Sequence, residues 1–178
     1  RVYIRENEHA FAGQPLLIDK FYRGKEVEVD VVSDGENVII PGIMEHIERA
    51  GIHSGDSMAV YPPQTLTKSC KQKIVEYATS IAHAINAKGL INIQFVVDGQ
   101  DDVFVIEVNP RASRTVPFIS KITGVPMISL AMSAVMGVSL ADCGWPLGLQ
   151  QKSSLVAVKA PVFSFQKLRD LDVDLGPE

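Results

Sequence analysis

The chain predicts an α+β fold in which an antiparallel sheet carries packed helices. Two observations lead there. Alternating β-branched and aromatic runs flank turns at Asp34-Gly35 and Asp98-Gly99, and two segments repeat apolar residues at helical spacing. A length of 178 residues suits one domain or two intimate subdomains with a substantial core.

Leu16–Phe21 is a short apolar run, read as an edge strand or a strand-to-loop transition. Lys25 to Ser33 then alternates, Asp34-Gly35 turns, and Asn37 to Ile40 returns. This predicts a hairpin with Val27, Val29 and Val31 on the core face and Glu28 and Asp30 on the other. Two acids on one strand face ordinarily meet only water; they carry function if that face meets a second polar surface. Glu45 to Ser57 is polar, with two glycines and two histidines, and reads as a loop longer than the usual ~4–6 residues. It is either a ligand-contact loop or a plain connector, and its histidines lack zinc-ligand spacing.

The clearest predicted helix runs from Thr67 or Ser69 to Lys88, with Ile74, Ala78, Ile81, Ala82 and Ile85 on one face and Gly89 as its stop. A second should run from Pro126 to Gly137 with Ile128, Ala131, Met132, Val135 and Met136 in the core. Ser154 to Ala160 reads as a strand. Beyond Pro161 a strand remnant, a short helix and a tail are expected.

Leu90 to Arg114 is the most informative stretch, a hairpin around Asp98-Gly99 followed by Asn-Pro-Arg-Ala-Ser-Arg. Pairing Asp98 with Val103 across a four-residue loop sets Gln94 against Glu107 and Asn92 against Asn109 on one face. Ile93 with Val108, Phe95 with Ile106 and Val97 with Phe104 then fall on the other. A one-residue slip would mix the faces, so the pattern argues for the register. Amide and carboxylate oxygens are hard donors that suit Mg²⁺. The alternative is a hairpin whose outer face is polar because it meets water. Asn and Gln are poor strand formers, which favours the first reading.

A net charge of -4 and a pI of about 5.6 argue against a nucleic-acid module. No apolar run is long enough to span a bilayer and no signal-peptide pattern opens the chain, so no membrane partner is expected. Cys70 and Cys143 lack metal-ligand companions and are expected as free thiols in a reducing cytoplasm. Arg1 opens inside a charged stretch without an initiator methionine, so an excised fragment is expected.

Three motifs carry a resemblance: Glu26-Val-Glu28-Val-Asp30; Gly42 to Ser57; and Gln94 with Glu107-Val-Asn-Pro-Arg-Ala-Ser-Arg-Thr-Val-Pro-Phe118. Together they resemble the large subunit of carbamoyl-phosphate synthase over nearly the whole chain. That subunit has two ATP-grasp halves, one phosphorylating bicarbonate and the other carbamate. Ile-Met-Glu-His-Ile-Glu, Val-Asn-Pro-Arg-Ala-Ser-Arg-Thr-Val-Pro-Phe and Leu175-Gly-Pro-Glu178 look like the C-terminal, carbamate-phosphorylating half.

The resemblance implies a partial ATP-grasp fold. Residues 1–44 would end the nucleotide-binding subdomain with a linker strand and hairpin, and residues 45–178 would form the C-terminal subdomain with the metal and acceptor site. It implies that Gln94, Glu107 and Asn109 bind Mg²⁺ or Mn²⁺ bridging the ATP phosphates, with Gln94 and Glu107 also in the nucleotide site. Glu28 would hold the ribose; Gly51, Ile52, His53 and Ser54 would contact the nucleotide. Lys20 and Tyr22 would lie at the adenine, in a region one residue different in length from the family pattern. Arg111 and Arg114 would face carbamate and the transferred phosphoryl group, a task suited to planar, permanently charged guanidiniums.

A ligase serving pyrimidine and arginine biosynthesis in the cytoplasm is implied. Its partners would be the remainder of the large subunit, a glutaminase small subunit and carbamate or bicarbonate as substrate. The family's glycine-rich phosphate lid lies before the first confident match, so the isolated fragment is expected to be inactive. Three alternatives stay open: the bicarbonate-phosphorylating half, another ATP-grasp carboxylate ligase, and a non-catalytic ATP-grasp-like interface domain.

Overall fold

A computed structural model of the chain describes residues 20–52, 54–151 and 154–161. The expected run Leu16–Phe21 lies outside them up to residue 19, and so does everything expected after Pro161. Lys20 and Phe21 are not strand.

The centre of the sheet is β1 (Lys25–Asp34), buried on both faces from Glu26 to Ser33. It turns at Gly35 into β2 (Val38–Ile40), with Val32 opposite Ile39. Then follow β3 (Met44–Arg49), β4 (Ala59–Tyr61), helix α1 (Lys68–Ala84), β5 (Lys88–Val97) and β6 (Val103–Asn109). Helices α2 (Val116–Thr123) and α3 (Met127–Val135) precede a 3₁₀ turn (Leu140–Cys143), β7 (Gly148–Leu149) and β8 (Ala157–Lys159). The strand order is β6-β5-β1-β3-β4-β8; β2 adds to β1, and β7 runs parallel to β2. β3 spans the expected boundary between residues 44 and 45, and residues on both sides of it are bonded into this one sheet.

Apolar alternation sorts the two faces. Val27, Val29 and Val31 with Ile91, Ile93, Phe95 and Val97 pack under Cys70, Ile74, Ala78 and Ala82 of α1. Thr67 caps α1, its hydroxyl accepting from the Cys70 N–H at 3.1 Å. The opposite face is apolar at one end, where Val32, Ile39, Met44 and Tyr61 meet α2 and α3. Its middle is polar.

Several sequence expectations are corrected. The polar segment from Glu45 is not wholly a loop: its first half is β3, and Glu45 and His46 are buried. Glu45 accepts from Lys25 Nζ (2.7 Å) and from the Gln64 and Thr65 N–H groups (2.7 and 2.9 Å), tying the sheet to the approach of α1. α1 ends at Ala84 rather than Lys88, because Asn86 takes the left-handed conformation (φ 46°) that stops it. Gly89 lies inside β5 instead, at φ 104°, where a Cβ would come within 3.3 Å of Val135 on α3. Ile85 is exposed.

The second predicted helix is present as α3 but turned about its axis. It buries Met127, Leu130, Ala131 and Ala134, while Ile128, Met132, Val135 and Met136 face outward. A helix apolar all round carries no stripe from which its inward face can be read. α2 was not expected; its first turn holds Pro117.

The predicted hairpin keeps its register at the polar end and changes it at the turn. Asn92 faces Asn109, Ile93 faces Val108 and Gln94 faces Glu107, but beyond a bulge Phe95 faces Val105, Val96 faces Phe104 and Val97 faces Val103. The connection is therefore Asp98–Asp102, one residue longer than expected, and Ile106 is the extra residue of the bulge. Ile106 is 50% exposed while Phe95 is fully buried, so the expected pairing of these two on one core face is corrected. Phe95→Ala should cost about 3–5 kcal/mol and Ile106→Ala less than about 1 kcal/mol, measured by denaturant titration. Equal losses would show that no bulge exists.

Candidate functional site

The polar middle of the second face is assembled by the β1–β5 ladder. Glu28 pairs with Gln94 and Asp30 with Asn92, and β6 extends both rows to Glu107 and Asn109. The two hairpin faces that the sequence left separate are thus one surface. A cavity of about 290 Å³ opens over it, lined by Glu28, Asn92, Gln94, Glu107, Arg111 and Arg114 together with Ser54, Gly55, Ser113, Thr115 and Lys159.

The segment after β6 is pinned to the acidic strand by alternate residues. Ser113 Oγ donates to Asp30 Oδ2 at 2.8 Å, and Thr115 Oγ1 donates to Glu28 Oε1. Thr115 precedes the first turn of α2 with helical backbone angles (φ -82°, ψ -22°) and makes no side-chain cap there; its hydroxyl donates to Glu28 instead. Arg114, between these anchors, and Arg111, two residues before the first, stay exposed at the cavity rim. Arg111 reaches the Ala112 carbonyl (3.2 Å) and Asn109 Oδ1 (3.4 Å). Among the described residues, neither guanidinium forms an ion pair with a carboxylate. That leaves two cations facing a cavity and ready for an anion.

Electrostatics separates the two buried acids of β1. Burial, followed by the charge of Glu28, raises Asp30 to about 7 despite hydrogen bonds from Ser113 and Asn92 and the charge of Lys159. Burial pushes Glu28 up as well. The His46 ring, the Thr115 hydroxyl and the Lys159 charge outweigh it and hold Glu28 below its ordinary value. The His46 ring is buried between Glu26 and Glu28, 3.7 Å and 3.8 Å from their oxygens, and neither nitrogen has a hydrogen-bond partner.

The other expected residues sort by distance from this cavity. Asn109 is half-buried beside Arg111. Tyr22 stacks on Phe104 with ring centroids 4.2 Å apart, and Lys20 Nζ sits 4.7 Å over the Tyr22 ring. Phe104 pairs with Val96 on the same face, so both residues lie beyond the Gln94 end of the site. Ser54 lines the cavity, Gly51 holds a turn at φ 105°, and Ile52 lines a separate groove of about 1040 Å³. His53 lies outside the described residues. Sequence reading missed Ser113, Thr115 and Lys159. The first two could have been found from their spacing around the arginines; Lys159 is brought in by the sheet from 105 positions beyond Ser54.

The donor set suits a divalent cation. Gln94, Glu107 and Asn109 offer hard oxygens on adjacent rows, and buried Asn109 Nδ2 has no hydrogen-bond partner. Rotating that amide would present its oxygen at the unpartnered position, giving up the long 3.4 Å bond from Arg111. Among the described residues no group of three or more His, Cys, Asp or Glu is arranged around a metal position, so any cation here relies on amide oxygens.

Asp30→Asn tests the electrostatics. A carboxyl raised from its ordinary value of 3.8 to about 7 binds its proton more tightly folded than unfolded, so its contribution to stability declines as pH rises from about 4 to about 7. The substitution should remove that decline and make the metal-free protein relatively more stable at pH 8 than at pH 5. Thermal melts at both pH values check this; parallel shifts at the two would contradict it.

Comparison with known proteins identifies the family and the fold. Residues 3–143 match the family described as carbamoyl-phosphate synthase L chain, ATP binding domain. Over 164 residues, 92% of the chain, it is 58% identical to the carbamoyl phosphate synthase large chain of Lachnoclostridium phytofermentans, and it spans 15% of that protein's length. Among solved structures it is similar to the biotin carboxylase–β-γ-ATP complex of Campylobacter jejuni (TM-score 0.66, 21% identity, covering 86% of this chain and 33% of that one). It is also similar to the biotin carboxylase domain of Hydrogenobacter thermophilus 2-oxoglutarate carboxylase, solved with MgADP, ADP and bicarbonate (TM-score 0.67, 20% identity, covering 87% and 35%). The fold is a partial ATP-grasp, and the chain belongs to the carbamoyl-phosphate synthase large-chain ATP-binding family.

Proposed function

We propose, from that family membership, that this segment forms part of the carbamate-phosphorylating half of a carbamoyl-phosphate synthase large chain. The observation that carries the reading is the juxtaposition of the Gln94–Glu107 pair with two arginines that lack carboxylate partners at the rim of one cavity. The Ile43-Met44-Glu45-His46-Ile47-Glu48 and Val108-to-Phe118 motifs support the C-terminal half over the bicarbonate half.

In this reading Gln94, Glu107 and Asn109 hold Mg²⁺ or Mn²⁺, which when bound neutralises nucleotide phosphate charge. Glu28, kept ionised, accepts from ribose hydroxyls. Gly51, Ile52, His53 and Ser54 contact the nucleotide, and Tyr22 and Lys20 bound the adenine end. Arg111 and Arg114 orient carbamate and stabilise charge on the transferred phosphoryl oxygens. That is the main demand phosphoryl transfer makes on a protein.

Because β1 to β6 share one sheet, the boundary expected between residues 44 and 45 does not divide the described residues, and in this reading subdomains that enclose the nucleotide would part before Lys25. The wider reading includes the rest of the large chain, a glutaminase partner, a cytoplasmic location and service to pyrimidine and arginine synthesis. Cys70 and Cys143 are both free, and among the described residues no single helix is long and apolar enough to cross a membrane.

In the full-length large chain, Arg111→Ala and Arg114→Ala should each lower ATP formation from ADP and carbamoyl phosphate by about 10²–10³-fold, with ADP affinity changed only a few-fold. Glu107→Ala should lose nucleotide affinity along with rate. Near-normal reverse activity in both arginine variants would defeat the acceptor assignment, and phosphorylation of bicarbonate rather than carbamate would assign the other half. The isolated 178-residue chain should show negligible carbamoyl-phosphate synthesis in a coupled assay; turnover matching the intact subunit would overturn that expectation.

A further inference from the structure

Lys159 closes a ring of contacts around the cavity. It ends β8, an outer strand bonded only to β4 among the described residues, yet its side chain turns inward instead of extending into water. Its Nζ donates to the Ser54 carbonyl at 3.1 Å and to Thr115 Oγ1 at 3.4 Å. Thr115 donates in turn to Glu28, which faces Gln94 across the ladder; Gln94 Nε2 donates to Ser54 Oγ at 3.3 Å. The ring thus joins the turn after β3, the central strands, the arginine segment and β8.

Neither the sheet nor the core requires this arrangement. Neighbouring Val158 is exposed on the other side of β8, so the strand is not an apolar wall that forces Lys159 inward. What draws the ammonium in is the pair of buried carboxylates at Glu28 and Asp30. Among the described residues, Glu28 has only His46 within ion-pair distance and Asp30 has no basic group there. An ammonium has three donors, and two of them are spent on oxygens from separate segments. That is the chemistry of a tie between segments that have no contact within the strand ladder.

We propose that Lys159 is a positioning residue for the nucleotide, a latch that fixes the turn carrying Ser54 to the segment carrying Thr115 and so holds Ser54 and Glu28 in place. The proposal rests on the reading of this cavity as the nucleotide site. Lys159 lines the cavity, but its ammonium is bonded to the Ser54 carbonyl and to Thr115 Oγ1, so it acts on binding through Ser54 and Glu28 and leaves the phosphoryl chemistry at Arg111 and Arg114 largely untouched.

The test uses the full-length large chain and MgADP as probe, with carbamoyl phosphate as second substrate. Lys159→Met should raise the KM for MgADP about tenfold while kcat stays within about threefold. Lys159→Arg, whose guanidinium can reach both oxygens, should recover most of that loss. Thr115→Val breaks the same ring, so the double variant should be no more than about twofold worse than Lys159→Met alone. An unchanged KM in Lys159→Met, a fall in kcat at constant KM, or no recovery with arginine would overturn the latch. If Lys159→Met does not fold, Thr115→Val carries the test, with the same rise in KM expected and an unchanged KM overturning it. Glu107→Ala separates the levels: if it binds MgADP as tightly as wild type, the cavity assignment itself fails, whereas its loss beside an unaffected Lys159→Met defeats the latch alone.

Discussion

Ten consecutive residue pairs between β1 and β5, from Lys25–Val97 to Asp34–Lys88, fix the positions of Glu28, Asp30, Asn92 and Gln94 on the polar face. The register is decided on the other side of the sheet. Val27, Val29, Val31, Ile91, Ile93, Phe95 and Val97 must all face α1, and each fully buried apolar side chain of this size contributes roughly 1.5–3 kcal/mol. A slip of one residue would send one strand's apolar set to the wrong face. Hydrophobic burial under α1 therefore sets Glu28 opposite Gln94 and Asp30 opposite Asn92 as a consequence.

That consequence is costly, since Glu28 and Asp30 are both almost completely buried. The chain offsets the cost with residues from distant elements: Ser113 and Thr115 after β6, Asn92 on β5, Lys159 on β8. The compensation is unequal. Glu28 has the Thr115 hydroxyl, the His46 ring and the Lys159 charge; Asp30 has two hydrogen bonds but also Glu28 as a like-charged neighbour. Two carboxylates two positions apart on one strand consequently titrate in opposite directions. Environments that separate otherwise similar groups in this way are characteristic of functional sites.

Where periodicity had only one solution, the sequence was legible. Val27, Val29 and Val31 alternate cleanly, Thr67 caps α1, and Gln94 faces Glu107 as the polar alternation requires. Legibility failed where the pattern was degenerate or the decisive partner was remote. α3 is apolar around its whole circumference, so Leu130 and Met132 were indistinguishable before packing against Val32 and Leu90 chose between them. The bulge at Ile106 and the five-residue Asp98–Asp102 turn offset one another, so the polar end of the hairpin agrees with a simple ladder while the apolar end does not. The polar segment from Glu45 looked like a loop because its strand lies between two others and buries Glu45 and His46, which no local alternation reveals. Lys159 gave no local signal at all.

The composition of the proposed metal set follows from the same crowding. Glu28 and Asp30 already place two acids next to the row that holds Gln94 and Glu107. A further carboxylate at Gln94 or Asn109 would raise the neighbouring acids toward protonation, as Glu28 already does to Asp30. Amides supply hard oxygens without that charge, and they leave room for the anionic phosphates to complete a cation's shell. Arg111 and Arg114 complete the logic on the far side. On a segment pinned through Ser113 and Thr115, they bring positive charge to the rim without an ion pair to Glu107, so the cavity presents an anion with a cationic edge and a mildly acidic floor. A phosphate-bearing ligand with its cation fits that polarity, whereas an uncomplexed polyphosphate would meet Glu28 and Glu107 directly.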